Sequence, residues 1–167
     1  MLKDLITGKE GESNFANLLG KADMSVELND DQKTNRFYDL VAKFMEDNVS
    51  YQLSFEVKND KMSKITGNIA IEIHNTKKDA PSGLMITESD IWVHICHEEI
   101  WICNVEKLKE FCNNTKPLKL IERGGDDNAR LLIFKKQDSL HKIFDRIDNL
   151  DYNAVRAKVI EHAYYGN

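Results

Sequence analysis

The sequence predicts an α/β (α+β) domain in which strands and helices share a core. Three observations carry this. Residues 36–44 and 51–58 each alternate apolar and polar side chains. A half-buried strand needs that period, because successive side chains point to opposite faces. Phe15, Leu18, Leu19 and Ala22 instead recur at i, i+3, i+4 and i+7, which marks a helix over residues 8–21. Shorter runs of both kinds follow to residue 164, so neither element type dominates.

The 167 residues fit one domain, 1–167, large enough to bury a continuous core. Hydrophobic content of 41% with two prolines and eight glycines is ordinary globular composition. No apolar run reaches the length of a membrane span, and Met1-Leu2-Lys3-Asp4 does not open a signal peptide. Three cysteines in irregular spacing fit a reduced, cytoplasmic protein better than a disulfide framework. The net charge of −5 excludes an overall field that attracts nucleic acid, so a DNA partner requires local positive potential or metal ions.

In the first helix, Glu12 lies one turn before Phe15 and Ala16, at the edge of the apolar face, while Glu10 projects toward solvent. Gly20 or Asp23 would end the helix, and residues 23–34 form a polar loop. The alternating runs then form a hairpin. Tyr38, Leu40, Ala42 and Phe44 share a face on the first strand, as do Tyr51, Leu53, Phe55 and Val57 on the second. With Asp47-Asn48 as a two-residue turn, Leu40 opposes Phe55, Tyr38 opposes Val57, and Asp39 opposes Glu56. Directly opposed residues have Cβ atoms roughly 4.5–5.5 Å apart. Two carboxylates that close repel, and a divalent cation between them reverses the sign of that interaction. Mg²⁺ is a hard ion that uses one or two protein carboxylates and takes its other ligands from water and phosphate. Lys58, on the same face as Glu56, completes an acid, acid, amine cluster.

Beyond Lys58 lies a polar loop with Lys61 and Lys64, then a strand over 66–74. Its Ile69, Ile71 and Ile73 face one way, and Ala70, Glu72 and His74 the other. Glu72 and His74 can line the groove of the hairpin carboxylates, though an exposed or satisfied strand histidine is the simpler reading of His74. Lys77-Lys78 precedes a turn at Pro81-Ser82-Gly83. Thr87 and Asp90 read as turn or cap residues. A second hairpin joins 92–96 to 100–104. His94, Cys96, His97 and Cys103 lack zinc-finger spacing, and a buried cysteine is usually a small apolar residue. A helix over 105–112 follows, then a third hairpin, 118–121 with 130–135, around the glycines and aspartates of 124–128. That turn lacks the lysine of a nucleotide-binding loop. Arg123, Arg130, Lys135 and Lys136 are phosphate contacts or ordinary surface charges. Two helices, 139–147 and 152–164, close the chain and pack on the sheet or on a second subunit.

Asp39, followed after the short hairpin by Glu56-Val57-Lys58, resembles the PD-(D/E)XK nuclease superfamily in the form D-x16-E-x-K. Tyr38 stands where the first motif often has proline. Thr66-Gly67-Asn68 with Glu72, Ser82-Gly83, Thr87 and Asp90-Ile91-Trp92 resemble segments of phage-type members, among them small Holliday-junction-resolvase-like nucleases. A Gly-Gly-Asp turn before a strand also recurs there. The resemblance covers about Gly8 to Trp92, with weaker support to Arg130.

It implies a restriction-endonuclease-like central mixed β-sheet flanked by helices. It also implies Mg²⁺- or Mn²⁺-dependent hydrolysis of DNA phosphodiesters, in recombination, repair or phage DNA metabolism. Asp39, Glu56 and the carbonyl of Val57 would hold metal, and Lys58 would complete the catalytic set. Glu12 would add support from the first helix, with Glu10 as the fallback. Lys61, Lys64, Lys77, Lys78, Arg123 and Arg130 are the candidate DNA contacts. A lysine acting as base needs a depressed pKa, and neighbouring carboxylates push the other way, so an electrostatic role is expected of Lys58. The short chain favours structure-selective cutting of junctions, flaps or single strands, and a homodimer would double the active site. The alternatives are a catalytically silent nuclease-fold protein that binds DNA or a protein partner, and an unrelated α+β scaffold. The last is excluded if residues 36–44 pair with 51–58.

Overall fold

The first hairpin forms in the expected register. Strand β2 (Leu40–Glu46) pairs antiparallel with β3 (Val49–Asn59), from Glu46 opposite Val49 to Leu40 opposite Phe55. Asp47 and Asn48 take φ values of 49° and 62°. Two successive left-handed residues make a type I′ turn, whose twist matches that of the flanking strands. Leu40, Ala42, Phe44 and Phe55 are all buried, on the face that the alternation marks. This computed structural model describes residues 2–31, 33–35, 37–124, 128–138 and 140–165, with the side chains of residues 2–7 outside the description.

Around the hairpin, β1 (Ser25–Leu28), β6 (Ile91–Cys96), β7 (Glu99–Asn104) and β10 (Asp145–Ile147) complete a six-stranded sheet. Its order is β1-β2-β3-β6-β7-β10, and only the β3–β6 pair is parallel, so the sheet is mixed. Between β3 and β6 the chain leaves the sheet through a short helix, α2 (Ser63–Thr66), and strands β4 (Asn68–Asn75) and β5 (Ala80–Pro81). With β8 (Lys119–Gly124) and β9 (Ala129–Lys135), these strands form a second, antiparallel sheet in the order β5-β4-β9-β8.

The mixed sheet sits between two apolar layers. On one face, α1 (Leu2–Lys21) and α4 (Tyr152–Tyr165) contribute Phe15, Leu19, Val155 and Val159 against Leu40, Phe55, Val93 and Ile102. On the other, Trp92, Trp101 and Cys103 pack with Ile69, Ile71 and Phe134 of the second sheet and Leu108 of α3 (Val105–Asn114). Val57 belongs to the first layer. Glu56 and Lys58 fall opposite Trp92 and His94 in the β3–β6 register, so they share the second face.

The structure corrects several sequence expectations. α1 begins at Leu2, before residue 8. The supposed loop 23–34 contains β1, which pairs with β2. That strand is exposed apart from half-buried Val26, so it has no apolar alternation to announce it. Its stability comes from pairing with the free edge of β2. The loop after Lys58 contains α2, which occupies the expected start of the third strand. The helix expected over 139–147 is instead a 3-10 turn, Leu140–Lys142, followed by β10. Phe144 and Ile147 explain this: they fill opposite layers, whereas a helix would present both on one side. β10 also pairs with the exposed edge of β7. Ser139 and the turn residues Gly125, Asp126 and Asp127 lie outside the described residues.

Candidate active site

The β2–β3 ladder ends at Leu40, and the site begins where it ends. Asp39 does not oppose Glu56 as a simple pair. Its N–H donates to the Phe55 carbonyl (2.8 Å), which Leu40 already faces, so the register slips by one residue. Its side chain then replaces the missing strand, and the Val57 N–H donates to Asp39 Oδ2 at 2.6 Å. The slip avoids setting two like charges face to face. Arg36, the expected start of this strand, lies outside the described residues.

The three motif residues still converge. Glu56 is 5% exposed and forms an ion pair with Lys58 Nζ at 2.5 Å. The ammonium also lies over the buried Trp92 ring, 5.7 Å from its centroid. Burial alone would lower the Lys58 pKa, but the Glu56 and Asp39 carboxylates outweigh it and hold the pKa above its ordinary value. Lys58 is therefore a fixed ammonium, unsuited to act as a base. For Asp39, burial first and the Glu56 charge second push its pKa up to about 7, against the pull of Lys58 and the Val57 N–H.

From the opposite face, α1 brings in a third carboxylate. Gly11 makes the approach possible, because a Cβ there would lie 2.7 Å from the Asn59 Cβ. Glu12, the next residue, is half-buried, and both Lys58 and Glu56 act on it electrostatically. Burial is the main cause that raises its pKa. Glu10 points away, exposed, with Lys61 Nζ at 3.8 Å. The geometry thus favours Glu12 over Glu10 as the helix residue of this cluster.

Thr87 belongs to the site, although its sequence context suggested only a turn. Its buried hydroxyl lies 3.2 Å from Glu56 Oε2, 2.9 Å from the Phe37 carbonyl and 3.1 Å from Ser89 Oγ. Thr87 and Lys58 therefore hold different oxygens of Glu56. The only advance signal was the Thr87 to Trp92 segment, which carries no spatial information. Asp90 does what a cap residue does: its carboxylate accepts from Ser54 N–H and Oγ at 2.7 and 2.8 Å, joining β6 to β3. Glu72 is close enough for its charge to act on Lys58, and it accepts from Ser82 Oγ at 2.6 Å. His74 is a satisfied strand histidine with Asp79 at 3.2 Å.

Among the described residues, no three His, Cys, Asp or Glu side chains cluster tightly enough to hold an ion by themselves. The donor set suits a hard cation nonetheless, since Mg²⁺ needs only one or two carboxylates and fills its shell with carbonyl oxygen, water and phosphate. Burial first and the Glu56 charge second raise the Asp39 pKa, and a cation beside the two carboxylates would favour the charged form against both. Residues in an extended strand send N–H and C=O to the same edge, so the Val57 carbonyl leaves β3 on the side that Asp39 occupies. His94 binds Asp60 and Trp92, and among the described residues no group of three His, Cys, Asp or Glu side chains forms around it and Cys96.

The candidate DNA contacts fall into two groups. Lys61 and Lys64 are exposed directly beyond the end of β3, Lys61 with Glu10 at 3.8 Å. Lys77, Lys78, Arg123 and Arg130 lie on the second sheet and its turns. Arg130 is engaged by Glu122 at 2.8 Å. Lys136 is tied to Glu99 at 2.8 Å and is only 12% exposed at its side chain, so it is not a ready phosphate contact.

No protein-family model and no curated protein sequence matches the chain. Among solved structures, a bacterial homing endonuclease, I-Ssp6803I, has the same fold, with a TM-score of 0.54 at 14% identity over 97% of each chain. No helix among the described residues is long and apolar enough to cross a membrane.

Proposed function

We propose that this chain is a divalent-metal-dependent DNA endonuclease of PD-(D/E)XK type that hydrolyses phosphodiester bonds at Asp39, Glu56 and Lys58. One observation carries the reading. Glu56 pairs with the Lys58 ammonium while the charges of Asp39, Glu12 and Glu72 also act on it, and Asp39 is pushed up to about 7 as a result of burial and the Glu56 charge. Burial and like charge make that arrangement costly in the metal-free chain, and a cation with a phosphodiester would offset the cost. The likeness in fold to a homing endonuclease supports DNA as the substrate and internal cleavage as the reaction.

When bound, Mg²⁺ or Mn²⁺ supplies Lewis acidity at the phosphoryl oxygens and lowers the pKa of a coordinated water. Asp39, Glu56 and the Val57 carbonyl would hold the cation, with Glu12 behind them. Thr87 and Lys58 each engage one oxygen of Glu56, which limits rotation of that carboxylate. Lys58, an ammonium on the dry face of Trp92, stabilises negative charge as it builds on the phosphoryl oxygens. Lys61 and Lys64 guide the backbone toward it. The substrate is a DNA structure such as a junction, flap or single strand, and a homodimer would present two such sites.

The test compares wild type with Asp39→Ala and Lys58→Ala on junction, flap, single-stranded and duplex DNA, with Mg²⁺, with Mn²⁺ and with EDTA. Cleavage by wild type alone, and only with a divalent ion, is expected. Equal cleavage by all three proteins would exclude this site. The second reading, a non-cutting DNA-binding protein of the same fold, draws on there being no three-ligand cluster among the described residues. Failure of millimolar Mn²⁺ to bind wild type in calorimetry would favour it.

A further inference from the structure

Behind Lys58 runs a buried polar chain that the proposed chemistry does not touch. The Trp92 indole N–H donates to His94 Nδ1 at 3.3 Å. Because Nδ1 is the acceptor, the ring proton sits on Nε2, which donates to Asp60 Oδ2 at 3.1 Å. Asp60 is itself fixed to backbone. Its Oδ1 accepts from the Ser63 N–H at 2.9 Å, and its own N–H donates to the Ile95 carbonyl at 2.8 Å. His94 and Trp92 are 1% and 0% exposed. A leucine at position 94 would fill this apolar layer without the desolvation cost of a histidine and an aspartate. The output of the chain is the orientation of one indole, whose face carries the Lys58 ammonium 5.7 Å from its centroid.

We propose that His94 is a positioning residue for Lys58: anchored by Asp60, it holds the Trp92 ring at the angle that sets the ammonium beside Glu56. The activity part of this proposal rests on the endonuclease reading, but the geometry does not. A cation is attracted to the face of an indole and not to its edge, so rotating the ring moves the preferred place of the charge. Misplacing a catalytic group by about 1 Å can cost on the order of a hundredfold in rate.

Substitutions at position 94 separate the links. His94→Asn keeps a carbonyl near the Nδ1 position to accept from the indole, and His94→Leu removes both bonds. In metal-free protein labelled with ¹³C-lysine, the ring current of Trp92 should displace the Lys58 Hε resonances upfield. The displacement should vanish in His94→Leu and survive in part in His94→Asn, which keeps the indole's acceptor but not the Asp60 anchor. On DNA, His94→Leu should lower single-turnover kcat roughly ten- to a hundredfold with KM and Mn²⁺ affinity unchanged, and His94→Asn should recover most of it. If His94→Leu does not fold, His94→Phe, which keeps a planar ring but offers the indole no acceptor, replaces it with the same expectations. Unchanged Lys58 resonances in the substituted protein, or a displaced resonance with undiminished kcat, overturns the proposal. If wild type cuts no DNA, the endonuclease reading falls, and the resonance measurement still decides whether His94 sets the place of Lys58.

Discussion

Two charged clusters lie on the same face of the mixed sheet, each beside a buried tryptophan, and they are built on opposite principles. In the first, Asp39, Glu56 and Glu12 share Lys58, which lies over Trp92. In the second, Glu99 alone is surrounded by donors: Trp101 Nε1 at 2.9 Å, Lys136 at 2.8 Å and Arg146 at 3.1 Å. Both cations also lie 5.9 Å from the Trp101 ring centroid. Burial opposes the charge of Glu99, yet the hydrogen bonds from Lys136 and Trp101 hold its pKa below the ordinary value. Burial and like charge drive Asp39 the other way, to about 7. A cluster that satisfies its own charge ties β7 to β10 and to the residue that follows β9. A cluster that leaves charge unsatisfied is the one to which the proposed function assigns a cation and a phosphate.

Cleavage should separate the two regions most widely. Lys58→Ala should cut DNA about a hundred- to a thousandfold more slowly in single-turnover assays, whereas Glu99→Gln should cut within a few-fold of wild type. Comparable losses from both substitutions would break the contrast. Thermal unfolding of the metal-free proteins should reverse the order. Glu99→Gln should lose about 1–2 kcal/mol, because Lys136 and Trp101 lose a charged acceptor. Asp39→Asn should be neutral or stabilising, since the amide oxygen can still accept from Val57 and the repulsion is gone.

A metal titration sharpens this further. At a hundredfold excess over its Kd, Mn²⁺ should stabilise wild type by about 2.7 kcal/mol and leave Asp39→Asn almost unchanged. The pH dependence has a definite sign as well. Asp39 binds its proton more tightly folded, at about 7, than at its ordinary value of 3.8. Folding therefore takes up a proton between those values, and metal-free stability should fall as pH rises from about 4 to about 7. Glu99 acts oppositely: its contribution is present above its ordinary pKa and is lost as pH falls through its lowered folded value. Denaturant unfolding across this range should show a steeper decline in wild type than in Asp39→Asn, where Glu12 still keeps a raised pKa. The smallest effect belongs to the surface. Replacing both Lys61 and Lys64 by alanine should weaken DNA binding several-fold and reduce the salt slope by up to about two, which a titration of affinity against salt would measure.

The hairpin was legible because three local signals agreed: alternation on both arms, a two-residue Asp-Asn turn, and apolar residues in phase across it. β1 was not legible, because an exposed four-residue strand carries no apolar period. Residues 139–147 misled because apolar spacing at i, i+3, i+4 and i+7 suits a helix and also suits a turn followed by a strand that feeds two layers. Within the site, Asp39, Glu56, Lys58 and Glu12 could be nominated from spacing and resemblance, and the fold brings them together. Thr87 and His94 could not, since hydrogen bonds that cross 31 and 34 residues leave no mark in local sequence.

What the sequence determined by itself, then, is what neighbouring residues decide through backbone geometry. That is the pleat and turn of the hairpin, the helical face of Phe15 and Leu19, and the placing of Glu56 and Lys58 on one side of a strand. The tertiary structure alone decided the charge state of the cluster. Desolvation and Coulomb forces depend on what surrounds a group in space, and only the packed layers set α1, Thr87 and the Trp92–His94–Asp60 chain around it.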